Sequence, residues 1–182
     1  MKVINVKTQD IRFPTSKDNL GSDAVHVDCD YSATYVTIET EDNNLNGIGL
    51  TFTIGKGNDL CCKSIEYFKE FILGKEVQEI EKELGTIWEN VTNHSQLRWV
   101  GPQKGVTHLA AAAFFNAIWD LISKMHNKPL WRYVIDLETN QLLDKLSFSY
   151  LDDVITKKEA AKIICAIING YQRAHIAKLL DT

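Results

Sequence analysis

The feature that most constrains this 182-residue chain is a change of hydrophobic period at Gly55-Lys56-Gly57-Asn58. Before it, Tyr35-Val36-Thr37-Ile38-Glu39-Thr40 and Leu50-Thr51-Phe52-Thr53-Ile54 alternate apolar and polar side chains, the period of a half-buried strand. Asp42, Asn43, Asn44, Asn46 and Gly47 cluster between the two runs, which predicts a β-hairpin with Leu50, Phe52 and Ile54 on one face and the threonines on the other. Val3, Ile4, Val6, Ile11 and Phe13, closed by Pro14, add a first strand or strand pair. After the change the spacing approaches 3.6. Ile65, Phe68 and Ile72 line one helix. Ile80, Leu84, Ile87 and Val91 line a second, with Glu81, Lys82 and Glu83 on its solvent side. A third, from Val106 to Lys124, is apolar nearly all round, with Ala110 to Ala113 small enough for close approach, and is expected at the centre of the fold. Strands first and helices afterwards make this an α+β chain.

The C-terminal part reads as a new unit. Pro129-Leu130-Trp131-Arg132 suits a short helix with proline at its first position. Leu146, Phe148 and Tyr150 alternate as a strand, and Thr156-Lys157-Lys158-Glu159 is a capping box. Ala160, Ile163, Ile164, Ile167 and Ile168 form a buried stripe expected to stop at Asn169-Gly170, and Ile176 to Leu180 is a last apolar stretch. A lone strand and helix leave a sheet edge and an apolar face uncovered. The unit therefore docks on the preceding elements, or something that should follow it is missing.

Lys plus Arg number 20 and Asp plus Glu 24, scattered without a block of one sign, so charge makes no case for nucleic acid or an anionic membrane. The first seven residues lack the apolar run of a secretory signal, which points to the cytosol. The most apolar stretch, residues 105–123, contains His108, Asn116 and Asp120 and suits a core helix better than a membrane span. Cys29, Cys61, Cys62 and Cys165 show no metal-ligand spacing and read as buried free thiols. Asn90-Val91-Thr92 and Asn93-His94-Ser95 match the glycosylation pattern by chance.

Chemistry-bearing patterns are few. Gly49 to Lys56 imitates a phosphate loop but has five residues between its glycines and Gly57 after the lysine, so the glycines serve a turn with positive φ instead. His26, His94, His108, His126 and His175 are too scattered for a metal helix, and His108 reads as a satisfied core histidine. No serine sits in a nucleophile elbow. Two loops stand out. Residues 21–31 gather a glycine, a hydroxyl, three carboxylates and a phenol on an irregular segment, either a solvated acidic loop or a ligand loop. Residues 95–105 hold Leu97, Arg98 and Trp99, either a connection between helices or an anchored loop in which Arg98 pairs with a carboxylate.

Several runs together carry a resemblance: Asp10-Ile11-Arg12-Phe13-Pro14-Thr15-Ser16, Gly21-Ser22-Asp23-Ala24, Asp30-Tyr31-Ser32-Ala33, residues 49–57, Gln96-Leu97-Arg98-Trp99-Val100-Gly101-Pro102 and Asn116-Ala117-Ile118-Trp119-Asp120-Leu121. In order and spacing they resemble the L-fuconate dehydratase group of the enolase superfamily, whose relatives include mandelate racemase and muconate lactonizing enzyme. The resemblance implies an N-terminal cap domain over residues 1–135, a three-stranded sheet followed by helices, and over residues 136–182 the first βα element of a truncated (β/α) barrel. It implies a hydro-lyase that abstracts the proton beside a sugar acid's carboxylate and expels water to give a 2-keto-3-deoxy acid, with Mg²⁺ stabilising the ene-diolate. A barrel takes ~250 residues, and fewer than fifty follow Ile135. Catalytic and metal residues are therefore expected outside this chain, which alone would be inactive and bind no Mg²⁺. What the resemblance carries onto this sequence is substrate contact by Gly21, Ser22, Asp23 and Tyr31. Ser22 stands where the family sometimes has alanine, which leaves a backbone contact. The implied partner is a small-molecule sugar acid, with no nucleic acid or membrane and with homo-oligomerisation left open. The implied location is cytoplasmic, or mitochondrial for a eukaryotic member. Ser147-Phe148-Ser149-Tyr150 departs from the family's Asp-Phe-Arg-Tyr. Two other readings remain: a stand-alone binding or oligomerisation module, and the cap of a related racemase.

Overall fold

The computed structural model describes residues 1–100 and 105–180, without the side chains of Arg98, Ile168, Asn169 and residues 171–180. Strands β1 (Val3–Arg12), β2 (Ser32–Thr40) and β3 (Asn46–Thr53) form one antiparallel sheet in the order β1-β2-β3. The helices follow: α1 (Asn58–Phe68), α2 (Val77–Lys82), α3 (Leu84–Thr92), α4 (Leu97–Val100), α5 (Val106–Met125), α6 (Leu130–Ile135), α7 (Thr139–Leu143) and α8 (Lys157–Leu180). The change of period falls where the sequence places it, and the α+β cap architecture is the one expected.

One face of the sheet carries the core. Val3, Val6, Val36 and Ile38 point inward to Ile65 and Phe68 of α1 and to Ala110, Ala113, Phe114, Ala117 and Ile118 of α5, all buried. α5 is long and apolar enough to cross a membrane by composition, but most of it is buried in this core, as a central helix should be. On β3 the residues that turn inward are Gly47, Gly49 and Thr51; Ile48, Leu50 and Phe52 face outward and are exposed. Alternation shows that two sets of residues take opposite faces, not which set is packed. The glycines decide it, because α5 lies so close that a Cβ on Gly49 would sit 2.2 Å from the Ala113 carbonyl oxygen. Ile48 N donates to Asp120 (2.8 Å), and the Asn46 carbonyl accepts from Lys124 (3.1 Å), so α5 also covers part of the free edge of β3. The N-terminal end of β1 pairs with residues 74–77 through Val3 N to the Lys75 carbonyl, Gly74 N to the Val3 carbonyl and Val77 N to the Met1 carbonyl.

Several expectations need correction. The second helix is two, α2 and α3, broken at Glu83, although Ile80, Leu84, Ile87 and Val91 are all buried as one stripe. Glu81 is not a solvent-side residue. It accepts from the Tyr133 hydroxyl and approaches His126 Nε2 at 3.1 Å, and Lys145 Nζ donates to its backbone carbonyl at 2.7 Å. Burial raises the Glu81 carboxyl, but these donors outweigh it and leave it lowered; burial and the same carboxylate push the Tyr133 phenol up. His108 is not the satisfied histidine expected, since its Nδ1 is buried without a hydrogen-bond partner among the described residues. Cys29 and Cys61 are buried, but Cys62 is only partly so and Cys165 is exposed.

Pro129 stands at the N-cap of α6, one position before the helix. Residues 146–150 form an irregular segment that ends in a turn, not a strand, and the short α7 precedes them. A strand needs neighbours for its amides. Here the two serines instead dock on Glu89, Ser147 through its hydroxyl and Ser149 at 2.9 Å. The capping box is present, with Glu159 N donating to Thr156 Oγ1 (3.2 Å) and Thr156 N to Glu159 (2.9 Å). α8 does not stop at Asn169-Gly170 but runs on to Leu180. A helix-interior glycine costs only ~1 kcal/mol, and Gly170 lacks the positive φ of a terminating residue. Of the stripe expected on α8, Ala160 is buried and Ile164 partly so, while Ile163 and Ile167 are exposed.

Candidate functional site

The polar segment between β1 and β2 is the candidate site, and its shape follows from short-range hydrogen bonds made by Thr, Ser and Asp side chains. It opens with a 3₁₀ turn, Thr15–Asp18. Its two ends are fastened together. Thr15 Oγ1 donates to the Cys29 carbonyl (2.8 Å) and accepts from Tyr31 N (3.0 Å). Asp30 Oδ1 accepts from Ser16 Oγ (2.7 Å) and Ser16 N (3.1 Å), and these two donors hold its carboxyl below the usual range. Asp30 N donates to the Ile54 carbonyl (3.1 Å), which ties this clasp to the end of β3.

The tip is bonded to itself. Asp23 Oδ1 accepts from Val25 N and His26 N at 2.7 Å each, and both Asp23 oxygens lie 3.1–3.2 Å from His26 Nδ1. The His26 amide, then the Val25 amide and the imidazole, bring the Asp23 carboxyl down to about 2. Asp23 is therefore a carboxylate at any working pH. Ser22 Oγ donates to the Val27 carbonyl (3.0 Å).

Tyr31 joins base to tip. Its hydroxyl donates to the Gly21 carbonyl (2.8 Å), and its ring lies 5.6 Å from that of Phe52 at 30°. Gly21 has φ +73°, and a Cβ there would meet the Tyr31 hydroxyl at 2.1 Å. Gly21→Ala is expected to cost the loop about 1–3 kcal/mol through the strained backbone and the displaced ring. Amide exchange at Ser22, Asp23 and His26 should then speed up about tenfold or more, and unchanged exchange would contradict the packing described.

Beneath the loop lies a buried polar network that sequence reasoning missed. Asn58, fully buried at the start of α1, donates to Asp10 Oδ1 (2.9 Å) and the Ile11 carbonyl (3.3 Å) and accepts from the Thr53 hydroxyl. Arg12 clasps Asp10 from the exposed side at 2.7–3.1 Å, and this bond is the chief reason the Asp10 carboxyl is lowered. The available signal was the Asp10-Ile11-Arg12 pairing across one strand position, opposite an asparagine just after the double-glycine turn. Gly55 and Gly57 have positive φ there, the turn role expected of them, whereas Gly49, for which the same was expected, lies inside β3 without it.

The four expected site residues thus share one loop. Gly21 and Tyr31 touch directly, while Ser22 and Asp23 bond to neighbouring loop backbone. An apolar hollow of about 320 Å³, lined by Phe52, Ile54, Lys56, Cys61, Val106 and Leu109 and by none of residues 21–31, meets the loop through Phe52, whose ring lies against Tyr31. A larger cleft of about 390 Å³ lies on the helical side against Glu81 and Lys145 and includes none of the loop. Among the described residues, no group of three or more His, Cys, Asp or Glu side chains could hold a metal ion. The loop's carboxylates do not fit magnesium together, since Asp23 and Asp30 are occupied by separate donors. The expected ion pair of Arg98, and Gly101 to Lys104 of its loop, lie outside the described residues.

Residues 23–134 match the family model for the mandelate racemase / muconate lactonizing enzyme, N-terminal domain. The L-galactonate dehydratase of Hypocrea jecorina is 43% identical over 162 residues, which are 89% of this chain and 36% of that enzyme. The crystal structure of human mitochondrial enolase superfamily member 1 superposes with a TM-score of 0.89 at 37% identity, covering 98% of this chain and 41% of that one. An enolase from Pantoea ananatis, solved with bound D-gluconate and magnesium, gives a TM-score of 0.51 at 26% identity over 73% of this chain and 26% of its own. The chain spans well under half the length of each of these relatives.

Proposed function

Because this chain belongs to the mandelate racemase / muconate lactonizing enzyme N-terminal domain family, we infer that it is the substrate-capping part of an acid-sugar dehydratase of the enolase superfamily. The observation that carries this reading is the self-bonded loop of residues 21–31, held at its base by Thr15, Ser16 and Asp30 and meeting an apolar hollow through Phe52. Such a loop can enclose a polar ligand without itself supplying a base or a metal. The similarity to a fungal L-galactonate dehydratase supports dehydration as the reaction kind.

L-Fuconate is 6-deoxy-L-galactonate, so the two acids share every stereocentre and differ only by the hydroxyl at carbon 6. We read the substrate as an acid of this configuration. The proton beside its carboxylate is removed, the neighbouring hydroxyl leaves as water, and the product is a 2-keto-3-deoxy acid. Magnesium, which accompanies gluconate in the Pantoea relative, would stabilise the ene-diolate. In this reading residues 1–135 are the cap and residues 136–182 begin the barrel region that supplies base and metal ligands. The cap's own work is to enclose the acid, exclude water and discriminate its hydroxyls. A eukaryotic source would place the protein in mitochondria, in line with the human relative.

The test is an assay of the full-length protein that contains this chain, with L-galactonate and L-fuconate. The expected result is magnesium-dependent formation of a 2-keto acid from at least one of them, and none from the 182-residue chain alone. Failure to turn over either acid would overturn the substrate reading. Turnover by the 182-residue chain would overturn the division of labour.

A further inference from the structure

His26 was not among the loop residues expected to meet a ligand, yet its surroundings single it out. Its backbone N donates to Asp23 Oδ1 at 2.7 Å, and its carbonyl accepts from Asp23 N (3.0 Å) and from the Cys29 thiol (3.2 Å). Its Nδ1 faces both Asp23 oxygens at 3.1–3.2 Å. Every hydrogen-bonding group of the residue is thus engaged except Nε2, which has no partner among the described residues, and the side chain is half exposed.

The carboxylate that orients the ring is itself fixed, because two backbone amides, one of them from His26, grip the same oxygen. A carboxylate accepts and cannot donate, so the Asp23 contact places the imidazole proton on Nδ1 and leaves Nε2 with a lone pair when the ring is neutral. This reverses the ordinary preference of a free histidine side chain, whose neutral form carries its proton chiefly on Nε2.

We propose that His26 is a specificity-determining residue of the loop, accepting a hydrogen bond through Nε2 from a hydroxyl of the sugar acid, and that Asp23 is its positioning residue and not a direct ligand contact. This rests on the capping function inferred above and names which end of the ligand the loop meets. The loop holds Asp23, Asp28 and Asp30 within eight residues, a field that repels the substrate's carboxylate and admits its hydroxylated end. Some neighbouring donors are already engaged. Ser22 Oγ and Tyr31 Oη have donated their protons to Val27 and Gly21, and the amides of Ser22, Asp23, Val25 and His26 are all satisfied within the loop.

Nitrogen-detected imidazole NMR on the 182-residue chain tests the first half. His26 should show the Nδ1–H tautomer, and Asp23→Asn should shift it toward Nε2–H. A wild-type His26 in the Nε2–H form overturns the proposal. Titration of the full-length protein with L-galactonate in the presence of magnesium tests the second half. The His26 Nε2 resonance should move, and His26→Phe should weaken binding about tenfold, the worth of one well-placed hydrogen bond, with partial recovery in His26→Gln. Shifts at residues 21–28 without any change at His26, or no shift at all, overturn the inference. The capping reading fails by a different observation, absence of dehydratase activity in the full-length protein whatever the tautomer of His26.

Discussion

Gly49→Val is expected to destabilise the chain by at least about 3 kcal/mol, the upper range for forcing volume into a packed interior. Strand preference alone argues the opposite sign, since valine suits a strand better than glycine by up to ~1 kcal/mol. Geometry decides against it. A Cβ at Gly49 would lie 2.2 Å from the Ala113 carbonyl oxygen and 2.4 Å from Ala117 N, and these are backbone atoms of α5 that no rotamer change can move aside. Gly47, one step along the same face, is 2.1 Å from the Ala117 carbonyl by the same measure. Sheet and helix would have to separate along this line, exposing Ala113, Phe114 and Ala117 to water. Natural domains are stable by only ~5–15 kcal/mol, so the variant should unfold at much lower urea concentration. A loss below about 1 kcal/mol in equilibrium urea unfolding would show that the two elements do not approach as described.

The second large effect is that of Phe114→Ala, expected to cost about 3–5 kcal/mol. Phe114 is fully buried on α5, with the Phe68 ring 5.7 Å away at 59° and the Phe115 ring 5.6 Å away at 84°. Truncation removes these edge-on contacts and leaves a cavity that surrounding helices cannot close. The informative comparison is Phe52→Ala, the same chemical change on a ring that is 54% exposed on the outer sheet face. Its expected cost is below about 1 kcal/mol. Equal costs for the two in parallel urea titrations would mean that the inner and outer faces of β3 have been exchanged.

That pair also marks where the sequence was legible. The hairpin and the first strand follow from two-residue alternation, α1 from its 3.6-residue repeat, and α5 from a continuous apolar run too long for a strand. Which face of β3 meets the core was not visible, since the packed face carries Gly47, Gly49 and Thr51 and the more apolar set points outward. Hydrophobicity ranks residues by transfer free energy and says nothing of how near a helix approaches. Residues 146–150 alternate like a strand, but alternation is only an offer to pair, and their serines found Glu89 instead. In the candidate site, the loop and its four marked residues were singled out by composition and resemblance. The bonds that shape the loop were not, because Asp23 meeting His26, or Thr15 bridging Cys29 and Tyr31, depends on the path of the backbone and not on residue type.

The way α5 lies along β3 has a further consequence for how this domain meets other molecules. Asp120 and Lys124 occupy backbone groups on the outer edge of β3, and residues 74–77 do the same at the start of β1. An open strand is a template on which a foreign strand can crystallise, and fibre growth needs such a template on both sides. With both margins partly spoken for, the sheet presents its surroundings with a tiled surface of Ile48, Leu50 and Phe52 in place of a zipper. A foreign strand joining either margin would first have to displace these bonds.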